Sequence, residues 1–424
     1  SYYLKGDLRF TYFEEYKNNL KKTRKEIQQL QMQKLKKLVR HAYATVPYYK
    51  KLFDKNKIKP SDINTLEDFK KIPLIDKSTV LLNLEKLKSS KRYKLIKHFS
   101  GGSTGNKSLV YKDKRYHELS YGALMRDLHT VGIEPGMKSA WIWGDTLKNQ
   151  PFIKKFLHEL SFKLNRRIMF NVFKFTDADL KDWLENKFNK FKPDYIYGYA
   201  GVIYDIAKFV KDNKIKLVPI KKIITTSERL EQRKFIESVF KCPVIDQYGC
   251  SEVITIAIED KNQVMHSSDD FVLVEVNSHN EVLLTPLESY GMPLLRYKVG
   301  DVGLINKARK SHPKYPFKEF NIIIGRIYEF LINQNNEKIS GGLIKQQVED
   351  EDLSIREWQL VQESIDKVEL NIVCDEFTNQ KSIERLKQIV QDILNCSNIK
   401  VNKLKRFPIE PNGKRIAFKC EIKD

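Results

Sequence analysis

Between Tyr116 and Gln247 the chain alternates between two kinds of segment, and no other feature narrows its fold as far. Tyr116 to Val131, Pro151 to Leu164, Asp177 to Phe191, Val202 to Asn213 and Glu231 to Phe240 read as helices. Between them Ser139 to Trp143, Arg167 to Val172, Tyr195 to Tyr197, Ile220 to Thr225 and Pro243 to Gln247 read as strands. Strands alternating with helices of ten or more residues predict a layered α/β fold with mostly parallel strands. Ligands in such folds sit beyond the carboxyl ends of the strands. Three turns are expected there: Gly198-Tyr199-Ala200-Gly201, Thr225-Thr226-Ser227-Glu228 and Tyr248-Gly249-Cys250-Ser251-Glu252.

Upstream, apolar residues recur at helical spacing from Phe10 to Tyr43 (Phe13, Tyr16, Leu20, Ile27, Leu30, Leu35, Leu38), predicting one long amphipathic helix or two. The Lys21-Lys22 and Lys34 to Lys37 clusters suit a membrane surface or, the preferred reading, a solvated helix face. Short helices joined by turns are expected around Pro60 and Pro73. Downstream, Phe271 to Val276 and Glu281 to Thr285 suggest a small β subdomain, followed by a basic loop from Lys307 to Lys318. The last hundred or so residues have strands of their own (Glu369 to Val373, Ile399 to Val401, Ile416 to Glu421) and a helix, Ser382 to Leu394, enough for an independent α+β domain. The expected division is a helical segment over 1–92 packed on the core, an α/β core over 93–325 and a small C-terminal domain over 326–424.

Size and charge exclude some classes. At 424 residues the chain is too long for one compact unit, and 41% hydrophobic content argues against disorder. No apolar run approaches the roughly 18 residues a bilayer span requires. The N-terminus shows no apolar signal segment, and five scattered cysteines without a CxxC pair read as reduced thiols, so a cytoplasmic location is expected. The net charge of +22 raises the question of a polyanionic partner, but the excess is spread along the whole chain, which argues against a nucleic-acid face. It suits phosphorylated substrates.

One stretch is made for anions. Ser100-Gly101-Gly102-Ser103-Thr104-Gly105-Asn106-Lys107-Ser108 lies between two strand-like runs, Tyr93 to Phe99 and Leu109 to Tyr111. Its glycines bare the backbone N–H groups, its hydroxyls add donors and Lys107 adds a charge, a lining suited to phosphate oxygens. It is not the ATPase P-loop, which needs Gly where Asn106 stands and a helix afterwards. Alone it would read better as a flexible linker.

It does not stand alone. SGGSTG at Ser100, TTSE at Thr225, DQYGCSE at Asp246, RYKVGD at Arg296, GR at Gly325 and PNGK at Pro411 follow one another along the chain. This ordered series resembles the adenylate-forming (acyl-activating) enzyme superfamily. The segment His41 to Lys77, with its P-Y-Y-K and I-P-L-I-D-K phrases, is similar to the phenylacetate–CoA ligase group and its capsule-biosynthesis relatives. The resemblance implies that ATP and a carboxylic acid condense to an acyl-adenylate and pyrophosphate, with CoA then capturing the acyl group as a thioester. It also implies a mobile C-terminal lid.

The resemblance assigns roles residue by residue. Ser100, Gly101, Gly102, Ser103, Thr104, Gly105 and Lys107 would hold the β- and γ-phosphates, with Thr104 near Mg²⁺, although relatives often have proline where Lys107 stands. Glu252 would bind Mg²⁺ and Tyr248 would stack on adenine, with Gly249 leaving room. Ser227 and Glu228 would approach adenine, and Asp301 would accept hydrogen bonds from both ribose hydroxyls. Arg326 would bridge ribose and phosphate, and Lys414 would reach the α-phosphate and carboxylate as the adenylate forms. Tyr197, Tyr199, Trp141, Trp143 and Cys250 could line the acyl pocket, and His266 stands at a family-like position. Tyr328 departs from the usual hinge residue, Gly341-Gly342 resembles a pantetheine-tunnel turn, and the absence of thiols near Asp260 and before Gly325 argues against a structural zinc. The same adenylation could instead serve an amine or hydroxyl acceptor, as on a polysaccharide precursor. A polyanion-binding protein without catalysis is the reading from another class.

Overall fold

The computed structural model describes residues 7–100, 108–144, 159–172, 175–227, 229–305, 315–324, 330–335, 338–340, 344, 347–348, 351, 353–355, 357–374, 378–404 and 418–422. It divides into two compact units, Ser1–Val299 with Leu304–Asn321, and Gly300–Gly303 with Ile322–Asp424.

The alternation of the sequence becomes a seven-stranded sheet in the larger unit. Its strands are β3 (Ser139–Trp143), β4 (Arg167–Asn171), β5 (Tyr195–Tyr199), β6 (Lys222–Thr226), β7 (Val244–Tyr248), β8 (Ala257–Glu259) and β9 (Met265–Ser267), in the order β4-β3-β5-β6-β7-β8-β9. The strands from β4 to β7 are parallel, while β8 and β9 add antiparallel hairpins at one edge. Both faces are buried, as a parallel sheet requires. Trp141, Tyr195, Tyr197, Ile224 and Ile245 face Leu124 and Leu128 of the helix Lys114–Thr130. Ala140, Ile142, Ile196, Ile223 and Val244 pack with residues of the helices Ala200–Asp212 and Arg233–Phe240. Each fully buried Ile or Leu contributes about 1.5–3 kcal/mol.

Where the sequence suggests a turn at Gly198-Tyr199-Ala200-Gly201, there is none. Gly198 and Tyr199 finish β5, and Ala200 and Gly201 open the next helix. A Cβ at Gly198 would meet Ile142 Cβ and O at 2.6 Å, so this glycine serves the close approach of β5 and β3 rather than a bend. The segment Asp177–Phe191 is helical as expected but contains a π turn over Trp183–Phe188. That register brings two residues five apart onto one face, and the Trp183 and Phe188 rings pack with centroids 5.5 Å apart.

The N-terminal periodicity resolves into two helices, Arg9–Asn19 and Arg24–Thr45. They part where Thr23 caps the second: Glu26 N donates to Thr23 Oγ1 at 3.3 Å, and Thr23 N donates to the Glu26 carboxylate at 2.7 Å. Leu35, Leu38, Val39 and Ala42 join Phe53, Phe69, Leu273 and Leu294 in one core cluster. Part of the basic cluster on this helix meets protein: Lys34 pairs with Glu288 at 2.6 Å and Lys36 donates to Asn64 at 2.9 Å. Among the described residues no helix is long and apolar enough to cross a membrane.

The glycine stretch is flanked by an antiparallel pair, β1 (Leu95–Ser100) and β2 (Ser108–Asp113), in the register Ser100↔Ser108. The β subdomain is a four-stranded sheet, β10 (Val272–Val276), β11 (Glu281–Pro286), β12 (Tyr297–Ile305) and β13 (Phe320–Ile324), in sequential order. In the smaller unit the short hairpin β14 (Phe330–Ile332) and β15 (Lys338–Ser340) precedes β16 (Glu357–Ser364), β17 (Lys367–Val373), β18 (Ile399–Leu404) and β19 (Phe418–Cys420). These last four form a sheet ordered β18-β17-β16-β19. The helix Gln380–Leu394 belongs to the same core, which joins Ile383, Leu386 and Val390 to Leu360, Leu370 and Ile372.

Candidate functional site

The turn that leaves β7 gathers four of the candidate residues. Tyr248 ends the strand, Gly249 and Cys250 lead out of it, and Glu252 follows. The turn closes on itself: Cys250 N donates to Val253 O and Ile256 N to Tyr248 O, each at 2.8 Å. A Cβ at Gly249 would lie 2.2 Å from Ile254 O, so the turn itself demands glycine. The Tyr248 ring stacks on Phe320 at 6.0 Å.

Gln247 braces this turn from below. Its Oε1 accepts from Tyr197 OH at 3.1 Å and from Thr226 Oγ1 at 2.7 Å, and its Nε2 donates to Tyr248 O at 2.9 Å and Ile254 O at 3.1 Å. One amide thus ties β5, β6 and the turn together. Ser227 follows β6 with φ +69°, a left-handed conformation that costs a non-glycine residue energy and that clusters at functional loops.

Glu252 is 6% exposed. Tyr297 OH donates to its Oε1 at 3.0 Å, and Tyr116 OH donates to its backbone oxygen at 3.3 Å. Tyr116 is itself fixed by stacking on Phe271, with centroids 5.6 Å apart and planes 8° apart. A single buried carboxylate with one oxygen committed fits Mg²⁺, which keeps several waters and shares phosphate oxygens instead of needing a protein cage. Among the described residues no group of three or more His, Cys, Asp or Glu could hold a metal ion.

Two residues beside this turn were not singled out by sequence reasoning. Lys112, on β2, is 4% exposed with its Nζ 5.8 Å from the centre of the Tyr116 ring. Burial pushes its pKa down to about 8, against the pull of Cys250 and Glu252. Asp246, on β7, accepts from Thr225 Oγ1 at 2.8 Å, while its N–H donates to Glu259 Oε2 at 2.9 Å. Burial, then the charge of Glu259, pushes its carboxyl up to about 7 against the Thr225 hydrogen bond and Arg233. Arg233 forks onto both oxygens of Glu259 at 2.8 and 2.7 Å.

The aromatic candidates form a stack along β3 and β5. Trp141 and Tyr197 lie 4.9 Å apart, and Trp143 and Tyr199 4.4 Å apart. Trp143 and Tyr199 end their strands, on the side of the β7 turn. Trp141 and Tyr197 also line a narrow cleft that reaches Ser139, Arg167 and Tyr195 at the opposite, amino-terminal ends of the strands. His266 lies two strands beyond β7, 3% exposed, stacked on Tyr315 at 4.4 Å with Nε2 3.4 Å from Asp260 Oδ2. Its Nδ1 is buried without a hydrogen-bond partner among the described residues.

Ser100 ends β1, and Asp301 is buried within β12. Gly101, Gly102, Ser103, Thr104, Gly105, Lys107, Glu228, Arg326, Gly341, Gly342 and Lys414 lie outside the described residues. Tyr197, Tyr248, Gly249, Cys250 and Glu252 therefore form one braced group, with Ser227 closing the neighbouring strand.

Comparison with known proteins locates this arrangement. The CapK C-terminal domain family matches residues 331–420. The chain is 27% identical to Protein CapK of Staphylococcus aureus over 420 residues, 95% of this chain and 92% of that one. It is 36% identical over 92 residues, 21% of each chain, to a phenylacetate-coenzyme A ligase of Aromatoleum evansii. The chain is thus similar to the CapK and phenylacetate–CoA ligase group of adenylate-forming enzymes. Its fold is also that of 2-hydroxyisobutyryl-CoA ligase in the postadenylation state with R3-HIB-AMP (TM-score 0.68, 17% identity, 92% of this chain and 88% of that chain). Within this fold the β7 turn occupies the carboxyl edge of the parallel strands, where α/β sheets hold their ligands.

Proposed function

We propose that this protein activates a carboxylic acid with ATP and passes the acyl group to CoA. A carboxylate oxygen attacks the α-phosphorus, the bond from that phosphorus to the bridging oxygen breaks, and pyrophosphate leaves. The thiol sulfur then displaces AMP from the acyl carbon, giving a thioester. Mg²⁺, when bound, would offset charge on the phosphate oxygens, with Glu252 and, from the resemblance, Thr104 as its protein ligands. Tyr297 orients the Glu252 carboxylate, Tyr248 offers a ring for adenine, and Gln247 keeps the turn rigid beneath both. Ser100 to Lys107 would hold the phosphates, Asp301 the ribose, and Lys414 and Arg326 the charge that grows at the α-phosphate. Tyr199 and Cys250 flank the turn where the acyl group would enter.

The observation that supports this reading best is the buried Glu252 held by Tyr297 on a turn at the carboxyl edge of the sheet, in a chain that aligns with CapK almost end to end. The test is ATP–pyrophosphate exchange across a panel of carboxylic acids, with Lys414→Ala as control. Exchange that needs an acid, and that falls by two or more orders of magnitude in Lys414→Ala while ATP binding persists, is expected. No acid-dependent exchange in the wild type would refute it.

A second reading keeps the adenylate and replaces CoA by an amine or hydroxyl. The similarity to the Aromatoleum evansii CoA ligase covers 21% of the chain, whereas the CapK match covers 95%. AMP release driven by such an acceptor with CoA absent would select it.

A further inference from the structure

Lys112 carries a cation at a buried position of β2. It follows Val110 on the inward face of β2, and the two are 4% and 3% exposed. Among the described residues neither a hydrogen-bond acceptor nor a carboxylate within salt-bridge distance meets its ammonium; it lies 5.8 Å from the centre of the Tyr116 ring and within electrostatic reach of Glu252, Cys250, His98 and His117. The phenol of that same Tyr116 donates to the backbone of Glu252 at 3.3 Å, which places the ammonium beside the β7 turn. An unpaired buried charge costs several kcal/mol and persists where something else is gained. Other described cations of this unit are paired: Arg115 and Lys34 both hold Glu288 at 2.6 Å, and Arg126 holds Asp127 and Asp270.

Resting on the adenylation reading above, we propose that Lys112 is a substrate-binding residue whose ammonium receives an anionic oxygen of the ligand lodged at the β7 turn. That oxygen belongs either to the carboxylate of the acid or to a phosphate of the nucleotide. Both present the same chemistry to an ammonium, a charged acceptor within a site of low dielectric, where a charge-assisted hydrogen bond is strong. A residue that only fills space would be a leucine or methionine at this inward position, next to Val110. Lysine adds to that volume a donor for which the described residues offer no acceptor.

The experiment compares Lys112→Met and Lys112→Arg with the wild type in three measurements: ATP binding by calorimetry, the KM for acid and kcat in ATP–pyrophosphate exchange, and thermal unfolding. Methionine keeps the volume and removes the charge, so no fall in melting temperature is expected. A loss of about ten- to hundredfold is expected in one affinity, the size of a hydrogen bond to a charged group, with partial recovery in Lys112→Arg. A loss confined to the acid KM assigns the carboxylate, and a loss in ATP binding assigns a phosphate. Unchanged affinities in an active enzyme overturn the proposal, as does a lowered melting temperature with unchanged affinities, which would make Lys112 a structural counterion of Glu252. A wild type that neither binds ATP nor exchanges pyrophosphate with any acid overturns the adenylation reading, and this proposal with it.

Discussion

Replacing Arg126 by methionine tests how the larger unit is held together. Arg126 lies on the helix Lys114–Thr130 with 0% exposure, its Nε donating to Asp127 Oδ1 at 2.7 Å and its Nη1 to Asp270 Oδ2 at 2.9 Å. The guanidinium also lies 4.4 Å from the Phe317 ring. Burial works against its charge, but the two carboxylates more than compensate and raise its pKa. Those carboxylates are themselves tied down: Asp127 Oδ2 accepts from Thr255 Oγ1 at 2.6 Å and Ser268 Oγ at 2.7 Å, and Asp270 Oδ2 from Asn19 Nδ2 at 2.8 Å. Methionine removes the guanidinium that pairs with both and leaves two acids in a dry interior. Breaking a buried pair by removing one partner costs about 3–5 kcal/mol. With an unfolding entropy of about 2.1 cal/mol/K per residue over a unit of roughly 300 residues, that becomes a fall in melting temperature of about 5–8 °C. Scanning calorimetry of the full chain at pH 7 reads it directly. Asp270→Asn, added to Arg126→Met, should restore part of the loss because it removes one of the stranded charges. A fall below about 2 °C, or a further loss on adding Asp270→Asn, would refute the view that this cation organises the core.

Asp246 makes stability depend on pH in the direction opposite to most acids. Its folded pKa of about 7 lies above the ordinary 3.8, so between these values the folded state holds the proton more often than the unfolded state. Its contribution is therefore full below about pH 4 and is lost as pH rises through about 7; Asp246→Asn should flatten that part of the melting-temperature profile, and an unchanged slope would refute the assignment. Gly249→Ala puts a Cβ 2.2 Å from Ile254 O and should cost about 1–3 kcal/mol and lower the exchange rate with it, as measured by melting and by ATP–pyrophosphate exchange; wild-type values in both would show that the turn can open freely.

The layered sheet could be read in the chain because each strand is short, buried on both faces and separated from the next by a helix. What escaped has local physical causes. Glu357–Ser364 reads poorly as a strand because Gln362 takes an inward position, where it is 0% exposed. It belongs there because Ile332 N donates to its Oε1 at 2.7 Å and its Nε2 donates to Ile332 O at 2.6 Å, a partner thirty residues away in the sequence. The Gly198 to Gly201 turn was inferred from two glycines, but the first serves strand contact and the second begins a helix, roles that need the neighbouring strand to be seen. Lys112 did carry a signal. Two residues after Val110 on one strand, it must share that residue's inward face, and a lysine there is out of place.

The candidate site shows why residue types can be read earlier than their chemistry. Tyr248, Gly249 and Glu252 stand in one short motif, so the sequence groups them without help. What the Glu252 carboxylate can do is decided by Tyr297 and by the burial around it, and Tyr116, which anchors its backbone, comes from 136 positions upstream. The charge balance behaves in the same way. A net charge of +22 looks like a surface made for polyanions, yet where charge is scarce it is matched: Arg233 on Glu259, Arg296 on Glu275 at 3.2 Å, Lys298 on Glu281 at 2.8 Å. Interior cations that find acids stabilise the fold at neutral cost. Lys112 differs: among the described residues no acid lies within salt-bridge distance of its ammonium, Glu252 acts on it only from further off, and an anionic ligand at the β7 turn would complete the balance.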